Sequence, residues 1–491
     1  MTTERRVSGG ISMFGTFVLG LMVACGVEGV ELTGPSEDAL RLGAAMSGPV
    51  EPPDGRELYF GRCPSGADAR GPTLYVSKTG PWNPSEPVGS SANPYRTIGA
   101  ALKAAQPGNV IDVLPGTYAE QLVISPLTTQ EGAPTAPIVL RGSSDLRSRI
   151  TPPSGRVVGS LLNVSQPYWI LQSLEVNVQG KDSFAALFER NTYCSQLIDS
   201  RMHAGTSGGG VVTSGANNVL IDNNEIYDFS KTNADSHGVV LKNASREIFV
   251  LKNNIHATSG DSVQCQTDGN RPAFIFVEYN ELHGSGENGV DIKGCDSVFV
   301  RYNTMYNFPN LTRYPWQVNS SAAEAVVIHA DATNIQLVSN VISHAGRGIS
   351  VGSTSLLEHP VDILIRDNTI SDIYDFQKRG NGQGIRIVQA NGVQILANLV
   401  QRTADAGLRL AADEPLEAMG LAVFDNILRD MTLFVRLGRV EYRPQMQMDR
   451  NRYEGPTGRF TATGIVNNVE FPAWRSALAP EGLEQNSVRI P

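Results

Sequence analysis

Asp291 and Lys293 are the two residues of this sequence whose spacing best suits acid–base chemistry. They alternate with Val290 and Ile292, and in a β-strand that alternation turns both polar side chains to one face. A lysine can act as a general base when burial or neighbouring positive charge lowers its pKa. Lys293 is therefore the first candidate for a catalytic base, and Lys242, at the same place in a similar run, is the second.

Similar alternating runs recur along the chain, and most of them open with a glycine. Their outward positions form two series, which read Val212, Val240, Gln264, Asp291, Val327, Ser350, Arg386, Arg409 and Ser214, Lys242, Gln266, Lys293, His329, Gly352, Val388, Ala411. If the runs stack as neighbouring strands about 4.8 Å apart, each series forms a ladder on one face. Charged and amide side chains would then gather in one polar groove.

This predicted groove supplies the candidate site residues. The predicted catalytic residues are Lys293, Lys242, His329, Arg386 and Arg409, and the predicted substrate-binding residues are Gln264, Gln266, Asp291 and Glu324. A purely structural role is the alternative, because Lys293 paired with Asp291 or Glu324 would also keep a sheet face soluble.

The chemistry that such a groove could carry out is β-elimination on a uronic-acid polymer. The reaction needs a base for the proton beside the carboxylate and a cation that withdraws charge from that carboxylate. Acidic side chains on adjacent coils can hold Ca²⁺ through oxygen ligands, and Asp261, Glu287 and Asp291 are the candidate metal ligands. Ca²⁺ is the one cofactor that the sequence predicts.

A second repeat indicates the element that stacks these runs. An Asn or Ser two residues before an apolar residue recurs, in steps of 23 to 37 residues, at Ser200, Asn224, Asn253, Asn280, Asn303, Asn340, Asn368, Asn398 and Asn426. Steps of this length are typical of a solenoid in which each step is one coil. We interpret the asparagines as structural, since Asn tolerates the left-handed conformation of tight turns and stacked amides can bond along the solenoid.

The start of the solenoid is predicted from an amphipathic stretch with Ile98, Ala101 and Leu102 on one face, Thr97 as its N-cap and Pro107 after its end. A strand over residues 110–113 follows. A capping helix before the first coil is similar to the start of many proteins of the pectate-lyase-like β-helix superfamily.

The region from Tyr75 to Asp430 resembles this superfamily as a whole. The resemblance implies an all-β fold, a single-stranded right-handed parallel β-helix (solenoid) with an N-terminal capping helix. It also implies a polysaccharide lyase, hydrolase or epimerase, often secreted and often calcium dependent. Lyases of this type use a Lys or Arg base, a role that would fall to Lys293 or Lys242. The family's cluster of calcium aspartates is not visible in the sequence.

A second resemblance is to polygalacturonases, which are glycoside hydrolases. Segments 286–293, 346–352 and 384–387 resemble motifs built on a paired Asp, a Gly-His-Gly and an Arg-Ile-Lys. Hydrolysis needs two carboxylates, one as acid and one as base. Glu287-Asn288 stands where the paired Asp belongs, Arg347 replaces the His, and Val388 replaces the Lys. The catalytic positions are thus the ones that differ.

The N-terminus predicts export. Arg5 and Arg6 precede an apolar run, so residues 1–24 are predicted to be a signal peptide, and the sequence around Cys25 resembles a lipoprotein box in which that Cys is lipidated. Ordinary secretion is the alternative. Residues 26–70 are predicted to form a flexible tether, 71–440 the β-helix, and 441–491 a C-terminal cap or tail. A Cys63–Cys194 disulfide is one option, but spacing alone does not establish pairing.

These observations favour a carbohydrate-active protein outside the cell or in the cell envelope, lipid-anchored if Cys25 is modified. The leading hypothesis is a monomeric polysaccharide lyase that acts on an acidic polysaccharide. The alternatives are a non-catalytic surface protein that binds glycan or stabilises the envelope, and a polygalacturonase-like hydrolase. The net charge of −9 disfavours nucleic acid as a partner, and contact with a membrane is expected only through a lipid anchor.

Overall fold

The computed structural model of the protein describes residues 54–319, 323–352, 359–411, 420–438 and 445–491. The predicted signal peptide, the candidate lipidation site Cys25 and the first half of the predicted tether lie outside these ranges. Within them, no helix has both the length and the apolar character needed to cross a membrane.

The described residues form three sheets of 14 strands each. The first sheet contains, in chain order, Thr73–Val76, Val110–Val113, Ile138–Arg141, Trp169–Gln172, Tyr193–Ile198, Asn217–Asp222, Arg246–Leu251, Ala273–Glu278, Asp296–Arg301, Thr333–Val338, Val361–Arg366, Asn391–Leu396, Leu421–Phe424 and Met446–Asp449. The second sheet contains Leu122–Ile124, Ser160–Val164, Phe184–Glu189, Gly209–Ser214, His237–Lys242, Val263–Gln266, Val290–Lys293, Glu324–His329, Arg347–Val351, Ile385–Ile387, Ala406–Leu410, Leu433–Leu437, Arg459–Ala462 and Val466–Val469. The third sheet contains Gly116–Ala119, Ser148–Thr151, Glu175–Asn177, Arg201–His203, Glu225–Tyr227, Asn254–His256, Glu281–His283, Thr304–Phe308, Val341–Ala345, Thr369–Ile373, Leu399–Thr403, Ile427–Arg429, Arg452–Glu454 and Val488–Ile490.

From Val110 to Ala462, each coil contributes one strand to each sheet, and equivalent strands of neighbouring coils pair in parallel. Strand Val290–Lys293, for example, lies between Val263–Gln266 and Glu324–His329. Alternate side chains point inward, so that Val290 and Ile292 are 1% and 0% exposed. Because every coil buries such residues against the coils on both sides, the apolar core runs along the solenoid. The predicted parallel β-helix is confirmed.

The repeated asparagines form a continuous ladder inside the turn between the first and third sheets. The side-chain amide of Asn303 donates to the Val277 carbonyl at 2.8 Å and to Asn340 Oδ1 at 3.0 Å. Its Oδ1 accepts from the backbone and side-chain nitrogens of Asn280, both at 2.9 Å. The predicted stacking is confirmed, but the left-handed conformation belongs to the residue before each Asn, such as Tyr302 with φ 59°.

Among the described residues, three α-helices flank the sheets: α1, Gly55–Phe60; α2, Ile98–Ala104; and α3, Phe471–Leu478. Short 3₁₀ turns cover Gly66–Asp68, Pro315–Asn319, Phe376–Lys378 and Ala479–Glu481. Helix α2 is the predicted capping helix, and the Thr97 side chain accepts a hydrogen bond from the Ala100 N–H at 3.2 Å, as an N-cap does. Its apolar face is buried on the first coil.

The second half of the predicted tether is packed rather than flexible. Tyr59 of α1 is fully buried against Phe249, and the backbone N–H of Gly55 donates to Glu278 Oε2 at 3.0 Å. A disulfide joins Cys63 to Cys194 of the first sheet. The prediction of a flexible segment is therefore wrong from residue 54 onward, because this arm covers apolar side chains on the outer face of the first sheet.

In the predicted C-terminal cap or tail, the described residues 445–491 first continue the solenoid and then cover its end. Its strands Met446–Asp449, Arg452–Glu454 and Arg459–Ala462 extend the three sheets by one further coil. Strand Val466–Val469 then pairs in the antiparallel sense, and Trp474 and Leu478 of α3 are buried over the last coil. The end of the apolar core is thereby shielded from water.

Candidate functional site

The candidate site lies on the outer face of the second sheet, where three neighbouring strands carry its polar residues. The register aligns Gln264 with Asp291, and Gln266 with Lys293. The next strand aligns His329 with Lys293. The two outward ladders predicted from the alternating runs therefore exist in this part of the sheet.

Asp291 joins the other two side chains of the site. Its Oδ2 lies 2.7 Å from Lys293 Nζ, and its Oδ1 lies 2.9 Å from His329 Nε2. The Asp291 side chain is only 3% exposed, whereas those of Lys293 and His329 are 37% and 29% exposed. A buried carboxylate thus holds two partly exposed nitrogen groups on the outer face of the second sheet.

These contacts determine the charges of the pair. Burial alone would raise the pKa of Asp291, but hydrogen bonding to His329 and the charge of Lys293 lower it below its usual value. Burial alone would lower the pKa of Lys293, but the carboxylates of Asp291 and Asp261 hold that pKa well above its ordinary range. The expectation of a Lys293 base with a lowered pKa is therefore wrong, since its neighbours are negative rather than positive. Lys293 is a fixed cation.

Asp261 is a second, fully buried carboxylate beside this pair. Its Oδ1 accepts from Asn288 Nδ2 at 2.9 Å, and its Oδ2 accepts from Gln264 Nε2 at 3.0 Å. The backbone N–H of Asp261 donates to His237 Nδ1 at 2.9 Å. Gln264, predicted to bind substrate, instead helps to hold Asp261 in place.

Glu287 is the carboxyl group of the cluster that stays protonated. Burial and the nearby carboxylates of Asp261, Asp235 and Asp291 raise the pKa of Glu287 to about 9, although Lys293 acts in the opposite direction. A carboxylic acid, Glu287, therefore lies in the same cluster as the ionised Asp291 at neutral pH. A division of this kind is what general acid and base roles require.

Replacing Glu287 by Gln should make the protein more stable at alkaline pH. The folded-state pKa of Glu287 is raised, so its contribution to stability is present below its ordinary value of 4.5 and declines as pH rises toward about 9. A neutral amide removes that decline. We expect Glu287→Gln to match the wild type at pH 4 and to raise Tm by on the order of 2 °C at pH 8.

Thermal unfolding followed by circular dichroism between pH 4 and pH 9 measures this difference. The control is Glu86→Gln, which changes an exposed carboxylate far from the groove. A Glu287→Gln variant whose Tm follows the wild-type pH profile would show that Glu287 is ionised in the folded protein.

The other predicted residues lie further from the triad. Lys242 is two strands from Lys293, and its side chain forms no hydrogen bond or ion pair with a described residue. Gln266 lies beside Lys293, but its nearest hydrogen-bond partner is Asp268 at 3.4 Å. Arg386 and Arg409 lie three and four strands from Asp291, or about 14 and 19 Å. They belong to a different part of the groove.

Glu324 forms an ion pair instead of facing an open subsite. Its Oε1 lies 2.8 Å from Arg347 Nη1, and both side chains are largely buried. Arg347 Nε also donates to Gln383 Oε1 at 2.9 Å. The prediction that Glu324 binds substrate is therefore not supported by its contacts.

Two further residues near the site do not stand out in the repeated sequence pattern. Gln317 lies in the 3₁₀ turn Pro315–Asn319, and its side-chain amide donates to Asp235 Oδ1 at 2.7 Å. The 37-residue step between Asn303 and Asn340 is the signal that an extra loop is present there. Arg436 continues the outward ladder past Arg409, and the alternating run 433–437 could have revealed it.

The predicted Ca²⁺ ligands do not form an open oxygen cage. Both oxygens of Asp261 accept hydrogen bonds from amide groups, and both oxygens of Asp291 face Lys293 or His329. Within the described ranges, no group of three or more His, Cys, Asp or Glu side chains is arranged to hold a metal ion. A cation would have to replace these contacts of Asp261 and Asp291, and calcium dependence stays a prediction.

Comparison with known proteins supports the fold. Residues 237–415 match a family described as Right handed beta helix region, and residues 83–132 match one described as Protein of unknown function (DUF1565). No curated protein matches the chain. The predicted right-handed β-helix is thereby confirmed over the coils that carry the site.

Solved structures with a similar fold have little sequence in common with the chain. The mannuronan C-5 epimerase AlgE4 A-module of Azotobacter vinelandii is 12% identical with a TM-score of 0.44, covering 79% of this chain and 93% of that one. Pectate lyase Pel9A is 14% identical with a TM-score of 0.38, and the match covers 82% of this chain and 78% of that one. An alginate lyase from Paenibacillus sp. str. FPU-7 is 14% identical with a TM-score of 0.35, and the match covers 81% of this chain and 99% of that one. Function must therefore be argued from the site.

Proposed function

We propose that this right-handed parallel β-helix protein cleaves an acidic polysaccharide by β-elimination in the groove of its second sheet. The observation that carries the proposal is the contact of one buried, ionised carboxylate, Asp291, with both Lys293 and His329 beside the protonated Glu287. A base, a fixed cation and an acid are the three groups that the reaction needs.

In this proposal the base is His329 rather than Lys293. When His329 donates its Nε2 hydrogen to Asp291, the lone pair of the neutral imidazole is on Nδ1. Asp291 fixes the orientation of the ring and stabilises the imidazolium that forms when Nδ1 takes up a proton. Asp291 is thus a positioning residue, and His329 is the catalytic residue that it supports.

The remaining groups complete a balanced elimination. His329 removes the proton on the carbon beside the uronate carboxylate, and the electron pair of that C–H bond forms a double bond as the C4–O bond breaks. Lys293 stabilises the negative charge that builds up on the carboxylate. Glu287 gives its proton to the departing glycosidic oxygen. The products are a saturated reducing end and an unsaturated nonreducing end.

Product absorbance tests this proposal directly. Purified protein is incubated with pectate, alginate and glycosaminoglycans, with and without Ca²⁺, and unsaturated products are followed in the near ultraviolet. We expect His329→Ala to reduce the rate by about 10²–10⁴-fold. The control is His344→Ala, which removes an exposed histidine of the third sheet and should leave the rate unchanged. Polysaccharide that is retained but never shortened would contradict cleavage and favour the glycan-binding alternative.

Hydrolysis is the second candidate, and the contrast between Glu287 and its ionised neighbour Asp291 favours it. A protonated Glu287 could serve as the acid and an ionised carboxylate as the base. New reducing ends without near-ultraviolet absorbance would identify a hydrolase instead of a lyase.

We also propose that the protein acts outside the cytoplasm. Besides the Cys63–Cys194 bond, a second disulfide joins Cys265 beneath the site to Cys295. Structural disulfides persist mainly in oxidising compartments, which supports secretion or a cell-envelope location. Detection of both bonds by mass spectrometry of protein from its native host, together with the modification state of Cys25, would test it.

A further inference from the structure

Arginines occupy the same outward position on three successive strands of the second sheet. The register places Arg386 beside Arg409, and Arg409 beside Arg436. Ser350 precedes them in the ladder, and Arg347 lies on the strand of Ser350. Like charges placed about 4.8 Å apart on neighbouring strands repel one another, so the protein must gain something from keeping them together.

Arg347 and Arg436, which lie on either side of Arg386 and Arg409, are neutralised by carboxylates. Arg347 Nη1 lies 2.8 Å from Glu324 Oε1, and Arg436 Nη2 lies 3.0 Å from Asp405 Oδ1. The two acidic residues are positioned for these contacts by neighbouring strands and loops. The charge at both ends of the arginine series is therefore compensated within the protein.

Arg386, between these ends, forms no ion pair with a carboxylate among the described residues. Its Nη1 donates to the neutral Ser350 Oγ at 3.2 Å, and its Nε is buried without a hydrogen-bond partner. A guanidinium group keeps its charge in proteins, so a half-buried one without a carboxylate is costly. Burial and the charges of Arg347 and Arg409 lower the pKa of Arg386 to about 9, although the more distant carboxylate of Glu324 acts in the opposite direction.

We propose that Arg386, flanked by Arg347 and Arg409, binds an anionic group of the polysaccharide, a carboxylate or a sulfate ester. An incoming anion would accept the unused hydrogen bonds of Arg386 and neutralise its charge, and planar guanidinium groups suit both anions. Arg386 and Arg409 are then binding residues rather than the catalytic residues that the sequence predicts. Because this inference rests on the proposed function, it specifies which part of the same groove selects the substrate.

The position of Arg386 also predicts how the polymer lies. The anion site and Asp291 are separated by three strand spacings along one sheet, about 14 Å. One chain that reaches both must run parallel to the solenoid axis and span several sugar units. The enzyme should therefore prefer polymers with acidic groups away from the bond that is cleaved, and very short substrates should bind weakly.

Affinity electrophoresis tests the anion site without relying on cleavage. The full-length protein carrying Asp291→Asn migrates through gels that contain pectate for carboxylates, dextran sulfate for sulfate esters, or neutral dextran. We expect Arg386→Gln in this background to weaken binding to one of the anionic polymers by at least about tenfold. Arg386→Lys, which keeps the charge, should restore part of the affinity. Neutral dextran should not retard any variant.

The matched control is Arg402→Gln, which removes an exposed arginine of the third sheet that pairs with Asp372. Equal losses of affinity for Arg402→Gln and Arg386→Gln would overturn the proposal, as would equal retardation by neutral dextran or no retardation of any protein. Thermal unfolding of each variant verifies that it is folded, and inorganic sulfate should raise the Tm of the protein with Arg386 but not of Arg386→Gln.

The outcome also separates this inference from the proposed function. Retardation that depends on Arg386, without product formation by the wild type, would leave the anion site in place and remove the lyase proposal. Unsaturated products, formed by a protein whose retardation in the gel is the same with and without Arg386, would support the lyase proposal and remove the anion site.

Discussion

Asp291→Asn is expected to lower the rate constant kcat for polysaccharide cleavage by about 10³-fold. The substitution keeps the size of the side chain and removes its charge. An amide NH₂ would then face either Lys293 Nζ or His329 Nε2, both of which donate to Asp291 in the wild type. The NH₂ group and the nitrogen that it faces would both be hydrogen-bond donors, so that contact would be lost. The imidazole of His329 would then lose its fixed orientation, and the ammonium of Lys293 would lose its counter-ion.

Initial rates measured by the absorbance of unsaturated products give kcat and KM separately. Asp372→Asn is the control, since it changes a carboxylate of the third sheet that pairs with an exposed arginine. A positioning role also predicts that the pH–rate profile of Asp291→Asn shifts, which a loss of folded protein would not produce. A kcat within about threefold of the wild type would remove Asp291 from the mechanism.

Asn303→Ala should lower the free energy of unfolding by about 3–5 kcal/mol. The Asn303 side chain makes four hydrogen bonds within the ladder, to Val277, Asn340 and, twice, Asn280. Alanine would leave buried groups on all three neighbours without partners. Each unsatisfied buried group costs about 1–3 kcal/mol, and water has no route to a position that is 1% exposed.

Urea unfolding followed by circular dichroism measures the loss. The control is Asn467→Ala, because Asn467 lies exposed on the last strand of the second sheet. A change below about 1 kcal/mol would show that neighbouring coils can close over the missing amide, and that the ladder contributes shape rather than stability.

The pairing of strands from different coils can be predicted from the local sequence because every coil carries the same pattern of inward-facing apolar residues and an asparagine at its turn. Alternating residues such as Val290 and Ile292 must face inward, and the asparagines recur once per coil. Aligning those repeats is enough to place Asp291, Lys293 and His329 side by side, because parallel register transfers position along the chain into position across the sheet.

Protonation states do not follow from such an alignment. A lysine two residues from an aspartate reads equally well as a base and as half of an ion pair. Only the contact with Asp291, together with the charge of Asp261, decides that Lys293 stays charged. Electrostatic interactions sum over neighbours from several coils and depend on solvent access, neither of which a single coil encodes.

The packing of the turns and loops also cannot be predicted from the repeated pattern. The arm from Gly55 to Cys63 lacks the periodic pattern, and its sequence therefore predicts a tether. In the structure, Tyr59 of this arm is buried among apolar side chains on the outer face of the first sheet. Gln317 contacts Asp235 from a 3₁₀ turn that lies in the longest step of the asparagine repeat. The coil, its inward and outward faces and the residues that share a ladder can be predicted from the sequence, because they depend on a repeated pattern of residues. Charge, burial and the loop that covers each strand can be found only in the folded protein, because they depend on contacts between segments far apart in the chain.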